Sequence, residues 1–184
     1  MNLVAELSDE KIMQRVKEGD LAELTELFER YQVKLYNFFL KLTFDKAISE
    51  DLTQNLFYRV IRYRHTFDRE GGNVRAWLYR IARNIHADYC QEQAKRKDRF
   101  VLPEGGDYSL PGEGEIYSEA HLEKLNKALA RLAPEQRELL VLSRYQGLKY
   151  EEIAKLRGLS MAATKVQIHR AMKQLKALYF KDTQ

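Results

Sequence analysis

Residues 101–120 hold five acids (Glu104, Asp107, Glu113, Glu115, Glu119) and no base, two of the chain's three prolines (Pro103, Pro111) and four of its nine glycines (Gly105, Gly106, Gly112, Gly114). Proline lacks a backbone donor and glycine is costly to order, so neither helix nor strand is sustained there and little apolar surface is available to bury. The stretch divides the chain. It leaves 100 residues before it and 64 after it, each enough for one small folded unit.

On both sides the apolar residues recur at helical spacing and no segment alternates with period two, so the expected fold is all-α. In Leu7-Ser8-Asp9-Glu10-Lys11-Ile12, Ser8 reads as an N-cap with Leu7 and Ile12 at staple spacing, and Gly19 stops that helix. Asp20 and Glu23 have capping-box spacing ahead of a second helix faced by Leu24, Leu27, Phe28, Tyr31, Leu35, Phe38, Phe39 and Leu42. Ser49 is expected to cap a third, with Leu52, Leu56, Val60 and Ile61. After a turn at Gly71-Gly72, Asn73 caps a fourth, with Val74, Trp77, Leu78, Ile81, Ala82 and Ile85 on one stripe. Further on, a helix starts near Ser118 and Pro134 opens another at a favoured first-turn position, carrying Leu139, Leu140 and Leu142. The reading is two small helical domains, over residues 8–97 and 119–181, joined by a flexible acidic linker over 98–118.

The remaining composition narrows the function classes. One cysteine, Cys90, excludes an internal disulfide and a cysteine-cluster metal site, and fits a reducing cytoplasm. The first ten residues have neither a basic n-region nor an apolar h-region, and no run of about 18 apolar residues occurs, so neither a secretory signal nor membrane insertion is expected. His65, His86, His121 and His169 show no ligand spacing, and no glycine-rich phosphate loop or nucleophile elbow is present. An enzyme is disfavoured, with no metal and no cofactor expected. Charge, by contrast, is sorted: residues 121–184 carry 13 Lys and Arg against 6 Asp and Glu, in a chain of net +4. That bias suits a polyanionic partner.

Glu151-Glu152-Ile153-Ala154, a break at Gly158-Leu159 and a long helix capped by Ser160 form a helix-turn-helix pattern. At 100° per residue, Thr164, Ile168, Ala171, Met172, Leu175 and Leu178 share one stripe of the long helix. Ala162, Val166, His169, Arg170 and Lys173 fall opposite, flanked by Lys165 and Lys176. From residue 160 to 181 there are five bases and no acid. Alone, such a helix also fits the solvated face of an ordinary bundle; the preceding helix and glycine turn tip the reading to duplex DNA. The Glu151-Glu152 pair is read as dipole-compensating acids at a helix start, not as a catalytic pair.

Two longer patterns resemble a known family. Asp51-Leu52-Thr53-Gln54-Asn55-Leu56-Phe57 and Trp77-Leu78-Tyr79-Arg80-Ile81-Ala82-Arg83-Asn84-Ile85-His86-Ala87-Asp88 look like region 2 of bacterial sigma factors. Leu132-Ala133-Pro134-Glu135-Gln136-Arg137-Glu138 and Glu151-Glu152-Ile153-Ala154 with residues 160–171 look like region 4. Two such regions with only a short linker between them resemble the extracytoplasmic-function group. The chain departs from the pattern at Ala163-Thr164, at Lys149 where a Ser or Thr cap is usual, and at Cys90-Gln91-Glu92-Gln93, which delays the basic Lys95-Arg96-Lys97.

The resemblance implies a four-helix region 2 and a helix-turn-helix region 4, with core RNA polymerase, promoter DNA and, where one exists, an anti-sigma factor as partners. It implies that Asp51, Gln54 and Phe57 meet polymerase, and that the turn from Thr66 to Asn73, with Phe67 and Asp68, holds an unstacked base of the minus-ten strand. Unstacking costs only a few kcal/mol, so capture needs no ATP. Trp77, Leu78, Ile81 and Ala82 have core spacing, whereas Arg80, Arg83 and Asn84 lie partly off that stripe and are candidates for the strand. Ser160, Lys165, Val166, His169, Arg170 and Lys173 are the candidates for the minus-thirty-five duplex. The rival expectation is a self-sufficient, dimeric helix-turn-helix regulator, which polymerase dependence would separate.

Overall fold

Helix follows helix, and no strand occurs, among the residues that the computed structural model describes: 7–68, 73–95 and 119–181. The linker expected over 98–118 and the Gly71-Gly72 turn lie outside them.

α1 (Asp9–Glu18) is capped by Ser8, whose hydroxyl accepts from the Lys11 N–H, and ends at Gly19 with φ 112°. α2 (Leu24–Thr43) begins differently from the capping box expected at Asp20 and Glu23. A 3-10 turn, Leu21–Glu23, precedes it, Asp20 makes no side-chain cap, and the Glu23 carboxylate pairs instead with Arg15 at 2.5 Å. α3 (Lys46–Tyr63) starts one turn before the expected cap. Asp45 accepts from the Ile48 N–H at 3.0 Å, and Ser49 is fully buried, its hydroxyl donating to the Asp45 carbonyl. An aspartate caps as well as a serine, and a serine inside a helix satisfies its hydroxyl on the carbonyl four residues back. α4 (Val74–Lys95) is capped as expected, the Asn73 side-chain oxygen accepting from the Ala76 N–H at 2.8 Å.

The second half comprises α5 (Glu119–Ala130), α6 (Pro134–Leu140), α7 (Tyr150–Arg157) and α8 (Met161–Lys181). A π-helical turn, Val141–Tyr145, extends α6. Pro134 sits in the first turn of α6, where its missing N–H is not needed. α8 packs on α5, α6 and α7, and α2 and α3 pack side by side with α4 completing the first half.

The two halves are not held apart. One apolar core runs from Ile12, Leu35, Phe38 and Leu78 in the first half to Leu129, Leu140, Ile153 and Ile168 in the second. Across the seam, Gln146 takes two bonds from α4: its side-chain oxygen from the Tyr79 hydroxyl at 2.5 Å and its carbonyl from Arg75 at 2.9 Å. Burial pushes the Tyr79 phenol well above its usual range, so it stays a neutral donor there.

Candidate nucleic-acid interface

α7, Gly158 and α8 form the helix-turn-helix. Gly158 ends α7 at φ 64°, left-handed backbone that favours glycine although a side chain there would meet only open space. Lys149, at the cap position, contributes only its backbone. Its N–H donates to the Glu152 carboxylate at 2.7 Å, so Glu152 supplies the anchor that a Ser or Thr would share.

Thr164, Ile168, Ala171 and Leu175 bury one stripe of α8 against the other helices. That fixes the rotation of the helix, and Lys165, Val166, His169, Arg170, Lys173 and Lys176 all emerge on exposed positions. Ser160 is exposed beside them and its hydroxyl accepts from the Ala163 N–H at 3.1 Å. A hydroxyl that accepts one bond keeps its proton to donate, so the cap can also serve a phosphate. The face is therefore basic and open, and its orientation is set by packing rather than by the charges themselves.

The strand candidates on α4 and in the segment before it divide into three kinds. Arg80, Asn84 and Asp68 are exposed. Phe67 is not: its ring is 2% exposed and lies edge-on to Trp77 at 5.7 Å, while its carbonyl accepts from Lys17 at 2.9 Å. With its ring packed on Trp77, Phe67 ties the turn to the core. Asn73 and Arg83 are exposed and half-buried respectively, and both are engaged by the second half. The Asn73 amide donates to Glu152 at 2.7 Å. The Arg83 guanidinium donates to the Glu138 carboxylate and, at 2.7 Å, to the Leu156 carbonyl, while Arg157 donates to the other Glu138 oxygen at 2.5 Å.

A third surface lies on α3. Asp51 and Gln54 line an open polar cleft with Tyr58, Arg59, Arg62 and Asp88, across which Arg59 donates to Asp88 at 2.9 Å. Phe57, expected with them, is 7% exposed and packs on Phe28 with ring centres 4.7 Å apart. It does not line the cleft.

Residues 27–96 match the family described as Sigma-70 region 2, and residues 122–175 the family described as Sigma-70, region 4. Over 160 residues the sequence is 31% identical to the ECF RNA polymerase sigma factor SigM of Bacillus subtilis, covering 85% of this chain and 94% of that one. The chain belongs to the extracytoplasmic-function sigma factors. It is likewise 31% identical over 176 residues to the RNA polymerase sigma factor CarQ of Myxococcus xanthus, covering 90% and 94%. The sigma factor RpoE of Bartonella quintana, solved with the anti-sigma factor NepR, shares the fold with a TM-score of 0.68 at 24% identity, covering 85% of this chain and 96% of that one.

As a sigma factor the protein binds core RNA polymerase and directs it to promoters in transcription initiation, and it is not an enzyme. The self-sufficient dimeric regulator is set aside by the same findings. No described helix is long and apolar enough to cross a membrane. Sequence reasoning passed over Glu138 and Gln146, two of the residues through which this sigma factor joins its two regions, and Arg157, which holds Glu138 in place. Only Arg137-Glu138 gave a signal, two charges directly ahead of an apolar run where helical spacing puts at least one of them inside.

Proposed function

We propose that this sigma factor works in the cytoplasm with its labour divided among three helices. Asp51 and Gln54 on α3 dock on core polymerase, Arg80, Arg83 and Asn84 on α4 hold the displaced minus-ten strand beside Asp68 and Asn73, and α8 reads the minus-thirty-five duplex. On α8, Lys165 contacts phosphate together with Ser160. Val166, His169, Arg170 and Lys173 lie where base edges can be met.

The observation that carries this reading is the rotation of α8. Its buried stripe forces every base of the helix's central part outward onto one uninterrupted open face. Residues 98–118 tether the two regions, and their acidity suits a positively charged channel. An anti-sigma factor is the expected negative regulator, by analogy with the complex in which the Bartonella quintana protein was solved.

Promoter binding by polymerase carrying Arg170→Ala/Lys173→Ala tests the orientation of α8. Loss of minus-thirty-five protection with minus-ten contacts retained is the expected outcome. Unchanged protection refutes the derived face.

A further inference from the structure

The first turn of α8 carries no charge: Met161, Ala162, Ala163 and Thr164 precede Lys165, the first base of the helix. One turn on from the exposed Ala162 stands Val166, 47% exposed and set among the exposed polar side chains of Lys165, His169 and Arg170. A single exposed valine needs no explanation on most surfaces. This one lies on the outward side of a helix whose rotation is fixed by buried Thr164, Ile168, Ala171 and Leu175. The N-terminal part of a recognition helix is what meets base edges in the major groove, and the apolar group that groove presents is the 5-methyl of thymine. We infer that Val166, extended by Ala162, selects thymine in the minus-thirty-five duplex by packing on that methyl group. The inference deepens the reading of α8 given above and rests on it.

The chemistry of the side chain favours this role. Flanking cations draw in any duplex regardless of sequence, whereas a valine has nothing to offer a phosphate and contributes only at a base edge. Its branched Cβ has one strongly preferred rotamer in a helix, so its methyls are held in place before DNA arrives and little side-chain entropy is lost on binding. It neither donates nor accepts. Cytosine in place of thymine would bring its N4 amino group against an apolar wall, losing water without gaining an acceptor. Uracil would leave the valine methyls without their contact. One helical turn carries Ala162 and Val166 about 6 Å apart along the axis. Successive base pairs rise about 3.4 Å, so the patch spans about two base steps and favours thymine at neighbouring positions.

The test uses holoenzyme assembled from core polymerase and the full chain, with promoter duplexes selected from a library randomised at the minus-thirty-five element. The selected element should contain thymine. Replacing that thymine with deoxyuridine, which removes only the methyl, should weaken binding about threefold to fivefold, the scale of one buried methyl. Val166→Ser should bind the thymine duplex more weakly by a similar factor and show no further loss on deoxyuridine, while melting like the parent because the side chain is exposed. Val166→Ile, which keeps the methyls, should retain the preference. A selected element without thymine, equal binding of thymine and deoxyuridine by the parent, or a deoxyuridine penalty undiminished in Val166→Ser would each overturn the inference. Arg170→Ala/Lys173→Ala separates the two levels. Minus-thirty-five protection that survives this double change removes the reading of α8 itself, whereas lost protection with indifference to deoxyuridine removes only the methyl contact.

Discussion

The Arg137 guanidinium of α6 donates to the Leu42 carbonyl of α2 at 2.9 Å, joining the two sigma regions through a side chain only 5% exposed. The same group also takes the Leu129, Ala130 and Leu132 carbonyls at and just past the end of α5, where helical donors run out, and its Cζ lies 5.1 Å from the centre of the Phe44 ring. One planar fork thus closes a helix end and pins the seam. Arg137→Ala should cost about 3 kcal/mol or more, since removing a buried charged donor strands several acceptors at once. Arg137→Lys should recover only part of it, because an ammonium cannot match the fork. Urea unfolding followed by circular dichroism measures both, and a loss within experimental error for Arg137→Ala would refute the role.

Polymerase capture should separate Gln54 from Phe57. Gln54→Ala and Asp51→Ala remove exposed cleft groups, so they should weaken capture by immobilised core polymerase while the melting curve stays put. Phe57→Ala removes a buried ring and should cost about 3–5 kcal/mol of stability. Capture indifferent to both polar changes would take α3 out of the interface.

Salt dependence should distinguish the bases of α8. Replacing Lys165 or Lys176 should reduce the log–log slope of duplex binding by about one unit for each phosphate that is no longer neutralised, with sequence preference kept. Preference that shifts with the slope would place either lysine on a base edge instead.

The His86 imidazole supplies a pH test. Burial, helped by the nearby Arg137 charge, lowers it to about 4, beside a Cys90 thiol that burial pushes up. A histidine whose folded value lies below its unfolded one binds fewer protons when folded, so stability rises with pH across the window between them. The urea midpoint should therefore fall as the pH is lowered from about 6.5 toward 4. His86→Gln should flatten that fall, and an unchanged slope in the variant would remove His86 as its source.

Much of this was legible because helices write their packing with a fixed period. The stripe of α8, the caps at Ser8, Asn73 and Ser160 and the left-handed stop at Gly158 all follow from local rules, and the structure has each of them. Ser49 was misplaced for a reason equally local: Asp45 and Ser49 both qualify as caps one turn apart, and only the burial of Ser49 against Thr43 decides between them. The burial of Phe67 was not legible, because a turn residue between helices looks exposed until Trp77 is seen to pack on its ring. The seam was invisible. Glu138 reaches Arg83 across 55 positions of sequence, and no periodicity encodes a partner on another helix.

Strand opening on a promoter with a two-part site is the most direct measurement of the whole account. Permanganate footprinting should show reactive minus-ten thymines only when core polymerase and this sigma factor are both present. Arg83→Ala should reduce that reactivity while minus-thirty-five protection persists. Tight protection of a palindromic site by the protein alone, indifferent to polymerase and to Arg83, would contradict it.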